Sequence, residues 1–237
     1  MALSDRIRKD VQDIIGTKMV RRTGRVVPVS SKVKLAGDAV ELNATFLYAD
    51  LANSSKIAKT LDQRIAAKIL KSFLATTSRL VRSQGGKIVS FDGDRILGVF
   101  VGSEKDTAAV KCALNINFVV REIIRPKFES KYPVVKRASF SISHGTGIDT
   151  GKVLAVRAGA RGGNDLIWIG RAPNLAAKLS DYRGSSARTS ITPSVYRRIS
   201  DSVKYEGSPK KNMWKKHSWK FLGQNIVVYR SACTRKP

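Results

Sequence analysis

The sequence predicts an α+β domain in which helices pack against one antiparallel sheet. Strand-like and helix-like periodicities follow one another in the order β-α-α-β-β-α-β, with further strands and helices behind them. A strong hairpin signal, Asp92-Gly93, joins two β-rich runs within this series. Hydrophobic residues make up 42% and charged residues 26% of the 237 residues, a composition that supports a real core. We therefore expect one large domain, residues 41–237, preceded by a helix and a basic arm over residues 1–40.

The first elements are a helix, an arm and a strand. Residues 4–15 begin with Ser4 as a candidate cap and carry one apolar stripe, which predicts a helix that ends at Gly16. Residues 17–38 are basic and lack periodicity, so they predict a linker or an extended arm. Residues 41–50 alternate as a strand does but are apolar on both faces, which is typical of a central strand.

Two helices flank the hairpin. The first is expected to start near Asn53 and to end before Gly85, because its apolar residues recur at helical spacing. Its stripe consists of Ile65, Ile69, Phe73, Thr77 and Leu80. The hairpin covers residues 87–100, and a second helix is predicted over residues 106–124 with Cys112 on its apolar side. Cys112 is therefore interpreted as a small core residue.

The second half of the chain continues with strands and short helices. Strands are predicted at about 137–144, 152–157 and 165–169, followed by a helix over 171–182, a short mixed segment over 189–200, and terminal strands at 217–222 and 225–230. Pro173 lies in the first turn of the predicted helix, where proline is favoured.

The charge of the chain points to polyanionic ligands. There are 44 Lys and Arg against 18 Asp and Glu, a formal charge of +26, and residues 181–237 are the densest basic region. No apolar run is long enough to span a membrane, and the N-terminus lacks a secretory signal. Cys112 and Cys233 have no metal-binding or redox spacing. We therefore expect a soluble cytoplasmic protein with free thiols.

Two carboxylates mark a candidate metal site. Asp50 ends the first strand of the main domain, and Asp94 lies in the turn of the hairpin. Carboxylates that neighbouring strands bring together bind hard cations such as Mg²⁺ or Mn²⁺, which phosphoryl-transfer chemistry requires.

Four runs resemble the class III nucleotide cyclases in both order and spacing. They are Tyr48-Ala49-Asp50-Leu51, GGKIVSFDGDRILGVF from Gly85, GIDTGKV from Gly147 and IGRAPNLAAKL from Ile169. A free-standing chain of this length is also similar to the pyrimidine (uridylate) cyclases of the bacterial Pycsar antiphage system. The resemblance extends over about residues 41–180 and implies the catalytic domain of that class, with a ferredoxin-like antiparallel sheet flanked by helices.

The resemblance implies a role for particular residues. Asp50 and Asp94 fall on the two metal-binding aspartates, and the backbone carbonyl of Leu51 is an added ligand. Asn174 falls on the asparagine that orients the ribose. Lys178 stands where the family usually has an arginine that stabilises the α-phosphate, so the charge is kept and the bidentate fork is lost.

The positions that read the base differ from those of purine cyclases. Purine cyclases usually have Lys or Glu where this chain has Ser90, and Asp, Thr or Cys where it has Ile167, which forms no side-chain hydrogen bond. Tyr48 either narrows the base pocket in favour of a pyrimidine or is a core aromatic. Arg95 either contacts a base carbonyl or is a solvated hairpin arginine. Asp92 is interpreted as a turn residue.

The resemblance further implies a homodimer with composite active sites and two divalent cations per site. The expected reaction converts UTP, before CTP, to a 3′,5′-cyclic nucleotide and pyrophosphate. The product would act as a second messenger in antiphage defence through a separate effector. Lys220 is the candidate for the family's terminal phosphate contact. A cytidylate or adenylate cyclase is the alternative within the family.

Two alternatives of other kinds remain open. The lysines and aromatics of residues 204–221 are also typical of a nucleic-acid-binding surface, although Trp214, Trp219 and Phe221 are equally compatible with ordinary strand residues. A degenerate cyclase fold used as a scaffold is disfavoured because both aspartates and the asparagine remain. His144 is interpreted as a core residue.

Overall fold

A computed structural model describes residues 2–160, 163–182 and 186–237. The helices are α1 (Leu3–Gly16), α2 (Ser54–Thr60), α3 (Gln63–Ser83), α4 (Lys105–Phe118), α5 (Arg125–Lys131), α6 (Pro133–Lys136), α7 (Arg171–Ser180), α8 (Pro193–Arg198) and α9 (Asp201–Lys204). The strands are β1 (Val20–Thr23), β2 (Asp38–Ala52), β3 (Lys87–Asp92), β4 (Arg95–Phe100), β5 (Ser143–Ala160), β6 (Gly163–Ile169), β7 (Thr189–Ile191), β8 (Tyr205–Glu206), β9 (Lys211–Asn212), β10 (Lys215–Phe221) and β11 (Gln224–Ser231).

Most of the strands form one sheet in the order β10-β11-β7-β5-β2-β4-β3. The strand predicted to be central, β2, lies between β4 and β5 and is antiparallel to both. β1 pairs with the start of β2, and β6 folds back on the end of β5. The predicted α+β class is confirmed. No helix in the described part of the chain is both long and apolar enough to cross a membrane.

The alternation of β2 divides the core into two layers. Leu47, Ala49 and Leu51 face a large cluster that contains the apolar sides of α3 and α4. The alternate residues, Ala44 and Phe46 among them, face a second cluster that includes residues of α7. Because both faces are covered, β2 carries buried apolar residues on both faces, as expected for a strand in the middle of a sheet.

Several boundaries differ from the predictions. The helix expected from Asn53 is two helices, because the chain leaves α2 at Leu61 and Asp62 caps α3 by accepting a hydrogen bond from the Arg64 backbone N–H at 2.9 Å. Ser4 does not cap α1, whose N-cap is Ala2. The helix expected over 106–124 becomes a π-helix at Val119–Ile124.

The strands expected at 137–144 and 152–157 were also placed wrongly. Residues 137–142 are not a strand, and the residues from Ser143 onward form the single strand β5. The GIDTGKV run, most of which falls between the two predicted strands, lies inside β5. Gly147 in this run is required by packing rather than by a turn, as the contacts of α7 show.

Several side chains outside the site are structural. Cys112 and His144 are buried, as predicted, and burial raises the pKa of the Cys112 thiol. Trp214 is buried and donates from its indole N–H to the Val203 carbonyl oxygen at 2.9 Å. Trp219 and Phe221 stack and pack in a cluster with Leu175 and Leu179 of α7. Trp219 and Phe221 are therefore strand residues of β10, whereas Trp214 is a core residue between β9 and β10. These placements favour packing roles for the C-terminal aromatics over a stacking platform for nucleic acid.

Gly147 allows α7 to lie directly on β5. A Cβ atom at this position would lie 2.1 Å from the Ala176 carbonyl oxygen and 2.4 Å from the Ser180 backbone nitrogen. Only glycine permits this approach, because the atoms in the way are backbone atoms that cannot rotate aside. The helix is thereby held at a fixed height above the sheet.

An ion pair between a buried carboxylate and an exposed guanidinium attaches the first turn of α7 to the same strand. Asp149 is 0% exposed and lies two residues after Gly147. It accepts a hydrogen bond from the Thr192 hydroxyl at 2.6 Å, and an Arg171 guanidinium nitrogen lies 3.2 Å from its second oxygen. Burial raises the pKa of Asp149, although Thr192 and Arg171 act in the opposite direction. Gly147 and Asp149 together define the position of α7.

Replacing Gly147 with alanine is expected to lower the free energy of unfolding by about 3 kcal/mol or more, because the added methyl overpacks a backbone contact. Gly151→Ala is the matched control, since a Cβ there meets the Ala172 side chain at an ordinary 3.9 Å. The control is expected to change stability by no more than about 1 kcal/mol. Urea unfolding followed by tryptophan fluorescence measures both. Equal stability of the two variants would contradict the close contact.

Asp149→Asn is expected to become more stable relative to the unsubstituted protein as the pH rises. The ordinary carboxyl pKa is about 4, and the folded pKa of Asp149 is higher, so the unfolded chain releases this proton first. The stability contributed by the protonated form is therefore lost above the unfolded pKa, and the asparagine variant does not share this loss. Urea unfolding at a series of pH values from about 4 to 8 measures the difference.

Asp38→Asn provides a control of opposite sign. Burial raises the pKa of Asp38, but hydrogen bonds from the Lys34 backbone N–H and the Arg22 side chain outweigh it, and the net pKa is lowered. The unsubstituted protein should therefore become more stable relative to the Asp38→Asn variant as the pH rises. A difference for Asp149→Asn that stays flat or has the sign of the control would refute the raised pKa.

Candidate active site

The pairing of β2 with β4 brings the two predicted metal ligands to one end of the sheet. Asp50 is paired with Arg95, the residue directly after Asp94, and the Leu51 backbone N–H donates to the Asp94 carbonyl oxygen at 3.3 Å. Asp50 is buried and Asp94 is half-buried in the hairpin turn, where Gly93 has a φ of +58°. Two carboxylates and the Leu51 main chain therefore belong to the same corner.

The donors at this corner fit a hard divalent cation. Both side chains are carboxylates and the third predicted ligand is a main-chain carbonyl, so every donor is oxygen. No group of three or more His, Cys, Asp or Glu side chains with metal-binding geometry occurs among the described residues. A cation held here would therefore depend on Asp50, Asp94 and main-chain or substrate oxygens.

Among the described residues, Arg95 places a positive charge next to this corner. Its Nε lies 3.7 Å from an oxygen of Asp50, and its Nη2 donates to Asp181 at 2.8 Å. Its side chain is only 24% exposed, so the alternative of a solvated hairpin arginine is wrong. The guanidinium offsets part of the cost of burying Asp50 and connects the hairpin with the residue that follows α7.

Residues on β2, β4 and β3 form rows across the sheet. Tyr48 is paired with Leu97, and Leu97 with Ser90. Because paired residues and every second residue along a strand share a face, these side chains lie on the same face as Asp50 and Arg95. This is the face that α7 covers. Strand register thus joins four sequence-predicted residues that stand far apart along the chain.

Tyr48 is half-buried within this row. It packs against the cluster around Phe46, and burial raises the pKa of its hydroxyl, while Arg95 lowers it and Asp92 raises it. The phenol is therefore neutral at physiological pH. Its apolar ring contributes to the core, as predicted for a core aromatic. Its hydroxyl lies near Arg95 at the rim of the candidate site, as predicted for a residue that narrows the base pocket.

Asn174 and Lys178 lie one turn apart on the outer side of α7. Both are exposed, whereas Ala172, Leu175, Ala176 and Leu179 on the other side of the helix are buried. The Asn174 side-chain N–H donates to the Gly170 carbonyl oxygen at 3.2 Å, which holds the amide near the helix start. This outward placement makes both side chains available to a second copy of the chain.

Ile167 and Lys220 are placed elsewhere. Ile167 is 47% exposed on β6 and points away from Trp168, its neighbour in sequence, which contacts Phe46 edge-on at 5.4 Å between ring centroids. Lys220 is exposed on β10 and lies on the opposite side of that strand from Trp219, which packs against α7. Within one chain, therefore, neither residue belongs to the row that contains Tyr48 and Ser90.

Sequence reasoning missed two residues that shape the site. Asp149 and Asp181 hold the two ends of α7 through Arg171 and Arg95 respectively. The signal for Asp149 is a carboxylate directly beside Ile148 and close to Gly147 and Gly151, because a carboxylate buried among such residues requires a partner. Asp181 gives no comparable signal, because an acidic residue after a helix is ordinary.

Comparisons with known proteins agree with the geometry. The model of the adenylate and guanylate cyclase catalytic domain matches residues 38–223. The chain is 51% identical over 237 residues to a protein of Rhodovulum sp. (strain MB263) named Uridylate cyclase, covering 100% of this chain and 99% of that protein. A Uridylate cyclase of Xanthomonas perforans is 37% identical over 232 residues, 98% of this chain and 97% of the relative.

Solved cyclase structures share the fold. The adenylyl cyclase CyaB from P. aeruginosa superposes with a TM-score of 0.69 at 18% identity, over 83% of this chain and 97% of that one. The guanylyl cyclase Cya2 superposes with a TM-score of 0.65 at 20% identity, over 83% and 95% of the two chains. The chain therefore belongs to the family of adenylate and guanylate cyclase catalytic domains, the class III nucleotide cyclases, as its four sequence runs predict.

Proposed function

We propose that this protein is a uridylate cyclase that converts UTP to 3′,5′-cyclic UMP and pyrophosphate. The observation that carries the proposal is full-length similarity, at 37% to 51% identity, to three proteins named Uridylate cyclase. An adenylate cyclase of Anabaena cylindrica is more distant, at 26% identity over 69% of this chain. The shared cyclase fold and the oxygen donors of the carboxylate corner support the same proposal.

The side chains proposed to line the base pocket support a pyrimidine. Ser90 is small and exposed on β3, and Ile167 cannot hydrogen-bond, so neither supplies the contacts that purine cyclases make at these positions. Tyr48 fills part of the same sheet face and leaves less room for a double ring. Arg95 lies in this row and is assigned to a base carbonyl, a contact that requires it to move from Asp181.

The reaction is an attack within one nucleotide. The ribose 3′-oxygen forms a bond to the α-phosphorus, the bond from that phosphorus to the bridging oxygen breaks, and pyrophosphate leaves with the electron pair. Asn174 orients the ribose, and Lys178 opposes the charge that develops on the α-phosphate. Lys220 is assigned to the terminal phosphate. The proton of the 3′-hydroxyl passes to solvent or to a substrate phosphate oxygen.

Class III cyclases generally use divalent metal ions, and Asp50, Asp94 and the Leu51 carbonyl are the groups that would hold them. Bound Mg²⁺ or Mn²⁺, proposed as two ions per site, lowers the pKa of the attacking hydroxyl and neutralises pyrophosphate. Asp50 is the most constrained of these ligands, because it is buried and already faces the Arg95 guanidinium at 3.7 Å. The charge of +26 favours the approach of a triphosphate.

The active form is proposed to be a homodimer with composite sites. Asn174 and Lys178 point away from the sheet of their own chain, while Asp50 and Asp94 lie at a sheet corner. Two-fold pairing would place the α7 residues of one chain over the carboxylates of the other and produce two equivalent sites. The cyclic product is proposed to activate a separate effector in antiphage defence, with the enzyme in the cytoplasm.

The substrate is tested by competition among four nucleotides. The full chain is incubated with equal ATP, GTP, CTP and UTP and Mn²⁺, and the products are resolved by mass spectrometry. Cyclic UMP is expected to dominate.

Asp50→Asn should lower turnover by about 100-fold or more, because one oxygen ligand loses its charge. Asp92→Asn, an exposed carboxylate in the same hairpin, should leave turnover nearly unchanged.

Dominant cyclic CMP or cyclic AMP would overturn the substrate, and an active Asp50→Asn variant would overturn the metal assignment. Circular dichroism of both variants shows whether the fold is intact.

Composite sites are tested by mixing two inactive variants. Asp50→Asn and Asn174→Ala are each expected to be inactive alone. Random exchange of chains gives mixed dimers that hold one intact site, so the mixture should recover about one quarter of the unsubstituted activity. Mixing Asp50→Asn with Asp94→Asn is the control, because both lesions affect the same half of a site. Recovery in the control, or none in the test mixture, would contradict the proposed arrangement.

A further inference from the structure

The N-terminal helix α1 carries an apolar stripe that its own chain does not cover. None of its 14 residues is buried. The stripe consists of Leu3, Ile7, Val11, Ile14 and Ile15, with exposures from 49% for Val11 to 80% for Ile15. These residues share one side of the helix because they are spaced by three and four positions.

A helix of this kind is not expected to be stable by itself. Isolated helices shorter than about 12 to 15 residues are marginal in water, and most helical stability in proteins comes from packing an apolar face. The N-cap residue Ala2 makes no side-chain hydrogen bond to the helix start. The stripe therefore requires a partner surface.

The charges of α1 distinguish between the possible partners. The helix has three basic residues and three acidic residues, so it is neutral in a chain of charge +26. Helices that lie on membranes are typically rich in Lys and Arg on their polar face. The three aspartates of α1 instead favour a protein surface that has both signs of charge.

We infer that α1 pairs antiparallel with the α1 helix of a second copy of this chain. Pairing Ile7 of one copy with Val11 of the other also places Leu3 of one copy opposite Ile15 of the other. A two-fold axis then relates the helices, so every contact occurs twice. The pairing buries both stripes along helices about 21 Å long.

Charge complementarity supports the antiparallel direction. Arg6 and Asp13 lie on the same flank of the stripe, near opposite ends of the helix. In an antiparallel pair the same flanks meet, so Arg6 of each copy lies beside Asp13 of the other. Two reciprocal ion pairs result, which matters between chains whose overall charges repel. This contact does not depend on the proposed cyclase reaction.

Disulfide trapping in the full-length protein tests the direction of pairing. Ile7→Cys and Val11→Cys are prepared separately in a Cys233→Ser background, in which the remaining Cys112 is fully buried. The two proteins are mixed and oxidised, and intact-mass spectrometry measures the disulfides. The mixed disulfide between positions 7 and 11 is expected to exceed both disulfides between identical positions. Dominant disulfides between identical positions, or none of either kind, would overturn the inference.

Charge reversal tests the ion pairs in the same assay. Asp13→Arg and Arg6→Asp should each reduce the mixed disulfide, and the double variant Arg6→Asp/Asp13→Arg should restore it. Asp5→Arg is the matched control, since it makes the same charge change on the far side of the helix from the stripe. Failure of the double variant to recover, or an equal loss with Asp5→Arg, would contradict the reciprocal pairs.

A lipid partner is the remaining outcome. Flotation with phosphatidylglycerol vesicles is compared between the unsubstituted protein and Val11→Asp. Equal flotation is expected, because attraction of this basic chain to anionic lipid does not need the stripe. Flotation that Val11→Asp abolishes would assign the stripe to a membrane surface and overturn the pairing. These readouts do not involve turnover, so their failure is separate from failure of the proposed function.

Discussion

The close contact between α7 and β5 is the constraint on which the candidate site depends. It is made possible by the missing side chain of Gly147 and completed by the ion pair of the buried Asp149 with Arg171. Gly147 sets the height of the helix above the sheet, whereas the ion pair sets its starting end. Because Asn174 and Lys178 are carried on this helix, a displacement of α7 would move both together relative to the sheet.

Strand register fixes the positions of the carboxylates, as the α7–β5 contact fixes those of Asn174 and Lys178. β2 is held on both sides by antiparallel partners, so its register cannot shift without exchanging its two apolar faces. That register determines that Tyr48, Asp50, Ser90 and Arg95 share a face. A central strand is a rigid support for these side chains, and Asp50, near the end of β2, is therefore held in a fixed position. The more exposed Asp94 depends on the hairpin turn.

The arginines near the site have a structural role beside their positive charge. Arg171 and Arg95 each neutralise a buried carboxylate, Asp149 and Asp50, and each joins α7 to the sheet. Removal of either arginine would take a counter-charge away from a buried carboxylate, which is costly in a low-dielectric interior. The exposed Lys178, by contrast, is proposed to act on substrate charge. The basic residues that give the high net charge therefore include two groups: arginines that pair with buried carboxylates, and an exposed lysine that is proposed to act on substrate.

The sequence by itself determined the fold class, the central strand, the hairpin and the two aspartates at strand boundaries. Periodicity and turn chemistry are local properties, and four ordered runs are specific enough to indicate the family, which the comparisons confirm. The sequence also located Asn174 and Lys178 on one side of a helix, because residues four positions apart lie on the same face of a helix. Their roles in the reaction remain proposals.

Only the tertiary structure decided that β5 continues through Gly147 and Gly151, that Arg95 is paired rather than solvated, and that Asp149 and Asp181 anchor α7. A glycine that relieves contact with a distant helix has the same letter as a glycine that makes a turn. A carboxylate likewise does not reveal its counter-charge when that partner lies 22 or 86 positions away along the chain. These features arise from contacts between segments that are distant in sequence, and the local sequence pattern does not contain information on such contacts.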